Sequence, residues 1–172
     1  MTALLTIFFV GLIKNHLMIK FIFFLSLSVT PLFAQDILPL RERANLIDQI
    51  QKERIKKLLP KLMEEQDIDI WVMITREYNE DPIVKTLLPP TWLNARRRTI
   101  LVFSKTKIGI DPVAITRYNF GKNIRSIWKK EEQPNQWKAL SDHIVSQNPQ
   151  KIGINISEYY GIADGLAKTD YD

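Results

Sequence analysis

The chain has 172 residues, 45% of them hydrophobic and 25% charged, so it is long enough for one domain with a hydrophobic core. It contains no cysteine, which excludes a disulfide framework, a thiolate metal site and a cysteine nucleophile. The net charge is +5; without Lys14 and Lys20, which lie in a leader segment, 22 basic residues face 19 acidic ones. That excess of three is too small to indicate a nucleic-acid partner.

The first 34 residues have the pattern of a targeting segment. Met18 and Lys20 precede the apolar stretch FIFFLSLSVTPLF, which is followed by the small residue Ala34, in the order expected of a signal peptide. We predict cleavage after Ala34, with Met18 as the preferred start, and a mature protein that begins at Gln35 and is periplasmic or secreted. The alternative is an uncleaved membrane anchor, although neither this run nor the upstream apolar run from Leu4 to Ile13 reaches the ~20 residues that spanning requires.

The chain after Arg41 is predicted to form a helix followed by two buried strands. Pro60 lies within the helical pattern and should kink or divide it, because proline lacks an N–H group and clashes one turn back. The unbroken apolar runs Ile70–Ile74 and Thr99–Phe103 suit strands covered on both faces. Apolar residues at helical spacing are Leu46, Ile47, Ile50, Ile55, Leu58, Leu59, Leu62 and Met63.

The polar segment between these strands suits a loop that carries function. It ends in three consecutive arginines, Arg96 to Arg98, but no glycine-rich phosphate loop accompanies them. We therefore expect their side chains to diverge, some solvated and one or two paired with Glu77, Glu80 or Asp81.

The second half of the chain is predicted to complete an α/β layer. We expect a turn over Ser104–Lys107, a third strand over Val113–Thr116, and an edge strand or hairpin arm over Arg117–Gly121. Asn135 should cap a helix over Gln136–Gln147. The predicted apolar face of that helix contains Trp137, Leu140, Ile144 and Val145.

A fourth strand is predicted over Lys151–Ile156, with the three isoleucines at alternate positions on one face. Ser157 is expected to begin a final helix that continues through Leu166.

No group of residues has the composition of a catalytic site. The only histidines are His16 and His143, and neither has spaced carboxylates nearby that would complete a metal site. Ser141 and Ser157 lack the setting of a serine nucleophile. We therefore predict no catalytic residue, no metal ligand and no cofactor in this chain.

Several blocks of the sequence carry a family resemblance. The run from Arg41 to Phe103, with the segments RYNFG, PNQW and KIGINISEYYGIADGL, resembles the N-terminal domain of two-domain creatinase/prolidase-type proteins. It is closest to exported bacterial Xaa-Pro aminopeptidase-like metallopeptidases. The resemblance implies an α/β fold over residues 35–172, with a six-stranded or similar mixed sheet flanked by helices, of ribonuclease-H-like type.

The resemblance also implies where the chemistry takes place. In that family a separate C-terminal pita-bread domain holds two divalent metals, usually Mn, Co or Zn, and residues 1–172 contain none of it. Residues 35–172 would then be a non-catalytic N-terminal domain, ending at or just short of its own boundary, that shapes a peptide groove. Its expected partners are the catalytic domain, a peptide substrate and further copies of the chain.

The predicted groove rim lies in the loop between the first two strands. A stand-alone peptide- or protein-binding module without hydrolase activity is the alternative, and internal ion pairs could equally explain these loop residues. We further expect Trp71 in the core and Trp92 on the rim. The rim candidates are Arg76, Tyr78, Asn79, Glu80, Trp92 and Arg96.

Overall fold

A computed structural model describes residue 20 and residues 37–172 of the chain. The chain divides into two units, Met1–Leu38 and Pro39–Asp172, and the fold below is that of the second. The predicted signal peptide, apart from residue 20, lies outside the described residues. In the part that is described, no helix is long and apolar enough to cross a bilayer.

The second unit is an α/β domain built on a five-stranded mixed sheet. The strands are β1 (Ile70–Arg76), β2 (Arg98–Thr106), β3 (Gly109–Ile115), β4 (Arg125–Ser126) and β5 (Ile152–Ile154), in the order β4-β3-β2-β1-β5. The helices are α1 (Leu40–Glu53), α2 (Leu59–Glu65), α3 (Pro82–Lys85), α4 (Gln136–Gln147) and α5 (Lys168–Tyr171). β2 pairs antiparallel with β1 and β3, whereas β5 and β4 run parallel to β1 and β3. The predicted α/β class and mixed sheet are confirmed.

A π-helical turn, Arg54–Leu58, joins α1 to α2. Pro60 is the second residue of α2. Because proline has no N–H group, it cannot donate to the carbonyl one turn before it. The backbone widens in the preceding turn, where the N–H of Leu59 donates to the carbonyl of Arg54, five residues back. The prediction that Pro60 interrupts the helix is confirmed.

The sheet separates two apolar clusters, because alternate side chains of a strand point to opposite faces. On one face Met73, Leu101 and Phe103 pack with Met63 of α2 and with Phe120. On the other face the apolar side chains of β1, β2 and β3 pack with Leu140 of α4. The central strands are therefore covered on both faces, as predicted.

Two predicted elements in the second half are wrong. β2 continues through the expected turn at Ser104–Lys107 to Thr106, because Ser104 pairs with Ile70 and Asp111 and is itself buried. The chain reverses only before Gly109, whose φ of 131° is unfavourable for a side chain. Arg117–Gly121 forms no strand; Phe120 bridges to Ile124 instead.

The predicted cap of α4 is confirmed, but its apolar face is narrower than expected. The Asn135 side chain accepts hydrogen bonds from the N–H groups of Trp137 and Lys138, and Leu140 is buried. Val145 is 73% exposed, because no element of the described domain covers that side of the helix.

The predicted last strand and last helix are both shorter than expected. β5 covers only Ile152–Ile154 at the edge of the sheet, and the isoleucines are exposed rather than buried. Residues 157–166 form turns, and the last helix is α5. The Ser157 hydroxyl does accept hydrogen bonds from the N–H groups of Tyr159 and Tyr160, but the turn that it starts does not continue as a helix.

Candidate functional site

A groove with a volume of about 420 Å³ lies beside the end of the sheet where β2 begins and β3 ends. Three segments form it: the end of the β1–β2 loop, the residues directly after β3, and the approach to α4. Its lining combines guanidinium groups with aromatic rings. The lining residues are Trp92, Arg96, Arg97, Arg98, Thr116, Arg117, Tyr118, Trp128 and Gln136.

Trp92 forms the base of the first wall. Its ring packs edge-on against Phe120, with 4.9 Å between ring centroids, and only 9% of the residue is exposed. The Arg96 guanidinium lies over this ring, 4.7 Å from its centroid. A cation–π contact of this kind fixes the charge while leaving the edge N–H groups free to donate.

Arg97 is held by its backbone. Its φ is 50°, in the left-handed region that non-glycine residues seldom adopt. The Arg97 carbonyl accepts a hydrogen bond of 2.7 Å from the Glu77 N–H, and the Arg97 N–H lies 3.4 Å from Glu77 Oε2. These contacts tie the two ends of the β1–β2 loop together and fix where the Arg97 side chain leaves the backbone.

Arg98 shares a carboxylate with Arg76. Arg76 Nε and Nη2 each lie 2.6 Å from an oxygen of Asp170, and Arg98 Nε lies 3.1 Å from Asp170 Oδ1. The Asp170 side chain is 1% exposed. The hydrogen bond from Arg76 holds the pKa of Asp170 below its ordinary value, although burial opposes this. Arg98 also lies over the ring of Trp137, 4.6 Å from its centroid.

The prediction that one or two of these arginines pair with Glu77, Glu80 or Asp81 is wrong within residues 37–172, where Arg98 pairs with another acid. Its acid is Asp170, 72 residues away in sequence. No local pattern could have indicated it, because α5 meets the start of β2 only in the folded chain. Glu80 Oε1 instead accepts from the Tyr78 N–H, and Asp81 is occupied elsewhere.

Asp81 is a buried structural residue. Its Oδ1 accepts from the N–H groups of Ile83 and Val84 at the start of α3, and its Oδ2 accepts from Asn155 Nδ2 at 2.7 Å. Asn155 Oδ1 accepts in turn from Trp71 Nε1 at 2.6 Å. These contacts join the β1–β2 loop to the segment that follows β5.

Hydrogen bonds also fix the second wall of the groove. Thr116 Oγ1 donates to the Tyr118 carbonyl at 2.7 Å, and Ser126 Oγ donates to the Thr116 carbonyl. The Ser126 N–H donates to Asn119 Oδ1 at 2.8 Å. Arg117 and Tyr118 thus project from a turn that is tied at both ends.

Gln136 closes the base of the groove at the start of α4. Its Nε2 donates to the Ile115 carbonyl at 2.6 Å and to the Arg98 carbonyl at 3.2 Å. The helix start is thereby tied to both strands that border the groove.

The groove carries positive charge that the described residues do not neutralise. Across residues 37–172, no carboxylate lies within 4.0 Å of the guanidinium of Arg96, Arg97 or Arg117, and all three residues are exposed. Arginine does not lose its proton in proteins, so these groups can bind an anion but cannot act as bases. The groove is therefore suited to recognition of an anion.

The six predicted rim residues fall into two groups. Trp92 and Arg96 line the groove, whereas Arg76, Tyr78, Asn79 and Glu80 do not. Arg76 and Asn79 form a β-bridge around the exposed, positive-φ Tyr78, which makes a tight turn at the end of β1. A substrate-facing role for all six remains a prediction.

The expected burial of the two tryptophans is reversed. Trp92 belongs to the buried cluster, and Trp71 packs against that cluster only partly buried. Trp71 lies next to β5, a three-residue edge strand that is too short to cover it fully. Trp92 can be both a core residue and part of the groove, because its ring contacts Phe120 in the core and the Arg96 guanidinium in the groove.

His143 has no metal-binding surroundings. Burial lowers the pKa of its imidazole, and the charges that act on it are those of Asp111 and Arg125, which pair with each other at 2.6 and 3.0 Å. Among the described residues, no group of three or more His, Cys, Asp or Glu could hold a metal ion.

Comparisons with family models, curated proteins and solved structures found no match to this chain.

Proposed function

We propose that residues 35–172 form the non-catalytic N-terminal domain of an exported Xaa-Pro aminopeptidase-like protein. In this proposal the domain shapes the peptide groove and contributes oligomer contacts, and two divalent metals act on a separate domain. The support is the resemblance of the sequence blocks, together with an α/β mixed sheet that is compatible with the implied fold.

One observation carries the peptide-binding part of the proposal. Two of the rim candidates, Trp92 and Arg96, line the same groove as Arg97 and Arg117. The groove offers aromatic faces for apolar side chains and guanidinium donors for carbonyl and carboxylate oxygens. Such surfaces bind peptides without supplying a nucleophile or a base.

The proposal is tested by comparing the peptidase kinetics of variants. The comparison uses the longest natural polypeptide that contains this chain. We expect Arg96→Gln to raise KM for Xaa-Pro peptides while leaving kcat unchanged, because it removes binding but no reacting group. Lys107→Gln, which removes an exposed charge outside the groove, is the matched control. A loss in kcat alone, or hydrolysis by residues 35–172 in isolation, would contradict the proposal.

A stand-alone binding module is the second candidate, and the unneutralised arginines of the groove favour it. Sequencing the gene beyond the codon for Asp172 separates the two candidates. A continuation that encodes the metal ligands supports the peptidase, and its absence supports the module.

A further inference from the structure

We propose that the arginine-lined groove binds an acidic peptide segment that carries at least two carboxylates. This goes beyond a place in a peptidase, because it requires direct binding by this chain alone. It therefore stands or falls independently of the family proposal.

The first argument is the uncompensated charge. Arg96, Arg97 and Arg117 line one concavity, and no carboxylate in residues 37–172 pairs with them. By contrast, Lys122, Arg125 and Lys129, which lie outside the groove lining, each have an acidic partner. Like charges gathered in one groove repel one another, and a bound polyanion relieves that repulsion.

The second argument is that one guanidinium group, that of Arg96, and the backbone that carries the other two are held in place before any ligand arrives. Arg96 lies on the Trp92 ring, the Arg97 backbone is fixed by Glu77, and Arg117 leaves a turn tied by Thr116. A positioned arginine loses less conformational freedom on binding than one on a mobile loop. The groove is therefore partly ordered for a ligand, through the Arg96 side chain and through the backbone of Arg97 and Arg117.

The third argument concerns the chemistry of the ligand. Arg98 lines the same groove and already holds a carboxylate, that of Asp170, which Arg76 also binds through two nitrogens. The planar guanidinium matches a carboxylate in this side-on geometry. The rings of Tyr118 and Trp128 border the groove and offer apolar contact for the peptide between its acidic side chains.

A phosphate ligand is less well matched. Phosphate-binding loops use successive backbone N–H groups, usually with glycine, and no glycine lines this groove. Acidic peptide is therefore the ligand that we test first, and single-stranded nucleic acid becomes an alternative outcome.

The test measures fluorescence anisotropy of a labelled, N-acetylated and C-amidated hexaglutamate peptide on titration with the full chain. We expect saturable binding at 50 mM salt that weakens several-fold at 300 mM, because surface charges are screened. The triple variant R96Q/R97Q/R117Q should bind roughly 10- to 100-fold more weakly, each exposed guanidinium contributing modestly. The matched control, K52Q/K56Q/K107Q, also loses three positive charges, but at exposed positions outside the groove. Its affinity for the peptide should stay within about 2-fold of that of the unsubstituted chain.

Two further measurements keep the result interpretable. Circular dichroism and thermal unfolding establish that each variant is folded. If the triple variant does not fold, the single variant R117Q, which changes an exposed residue, is measured in its place. A twelve-residue oligothymidine is titrated in parallel. The proposal is overturned if hexaglutamate does not bind, if the lysine control loses as much affinity, or if oligothymidine binds more tightly through the same arginines.

Discussion

Trp92→Ala should cause a large loss of stability, although Trp92 lies in a polar, charged loop. A tryptophan side chain buries about 150–250 Å², which corresponds to about 4–6 kcal/mol at about 25 cal/mol per Å². Trp92 is 9% exposed, and its edge-on contact with Phe120 is lost as well. Because the surroundings relax into part of the cavity, we expect a loss of about 4 kcal/mol in the free energy of unfolding.

The measurement is unfolding in guanidinium chloride followed by far-ultraviolet circular dichroism, which does not depend on the deleted fluorophore. With a denaturant slope of about 4 kcal/mol per M, the midpoint should fall by about 1 M. Leu93→Ala is the matched control, since the adjacent side chain is 98% exposed and should cost less than about 0.5 kcal/mol. Equal, small losses in both variants would refute the assignment of Trp92 to the core.

Three further predictions follow from the contacts of the C-terminal segment and from the predicted leader. Asp170, whose pKa is held low by hydrogen bonds from its arginine partner, contributes stability that is present above its ordinary pKa of 3.8 and lost as the pH falls through the folded value. Asp170→Asn should therefore lower the free energy of unfolding at pH 7, and that free energy should decline less steeply between about pH 5 and 2, as measured by urea unfolding. An equally steep decline in the variant and the unsubstituted protein would contradict this. Gly165→Ala should destabilise by about 2 kcal/mol or more, because its Cβ would overlap the buried Asp81 carboxylate. Gly161→Ala has open space around it and serves as the control; equal midpoints in thermal unfolding would refute the overlap. Periplasmic protein should begin at Gln35 by mass spectrometry, and membrane-bound material that retains the leader would contradict cleavage.

Local sequence determined the elements whose cause lies within a few residues. The apolar runs around Val72 and Val102 are confirmed as central strands because an unbroken run has no solvent-compatible face. Pro60 disrupts its helix through its own ring, and Asn135 caps α4 through its own side chain. None of these effects needs a distant partner, so the sequence by itself was sufficient.

Tertiary packing decided what each exposed or buried position would contact. Ser104 continues β2 because strands on both sides pair with it, and Val145 stays exposed because no described element covers it. The carboxylate for Arg98 comes from Asp170, 72 residues later, and Asp81 turns inward to cap α3. Charge alone could not rank these acids, because the energy of an ion pair depends on separation and burial that only the folded chain establishes. The same dependence leaves Arg96, Arg97 and Arg117 without an acidic partner among residues 37–172, so the three consecutive arginines in the sequence did not reveal the groove.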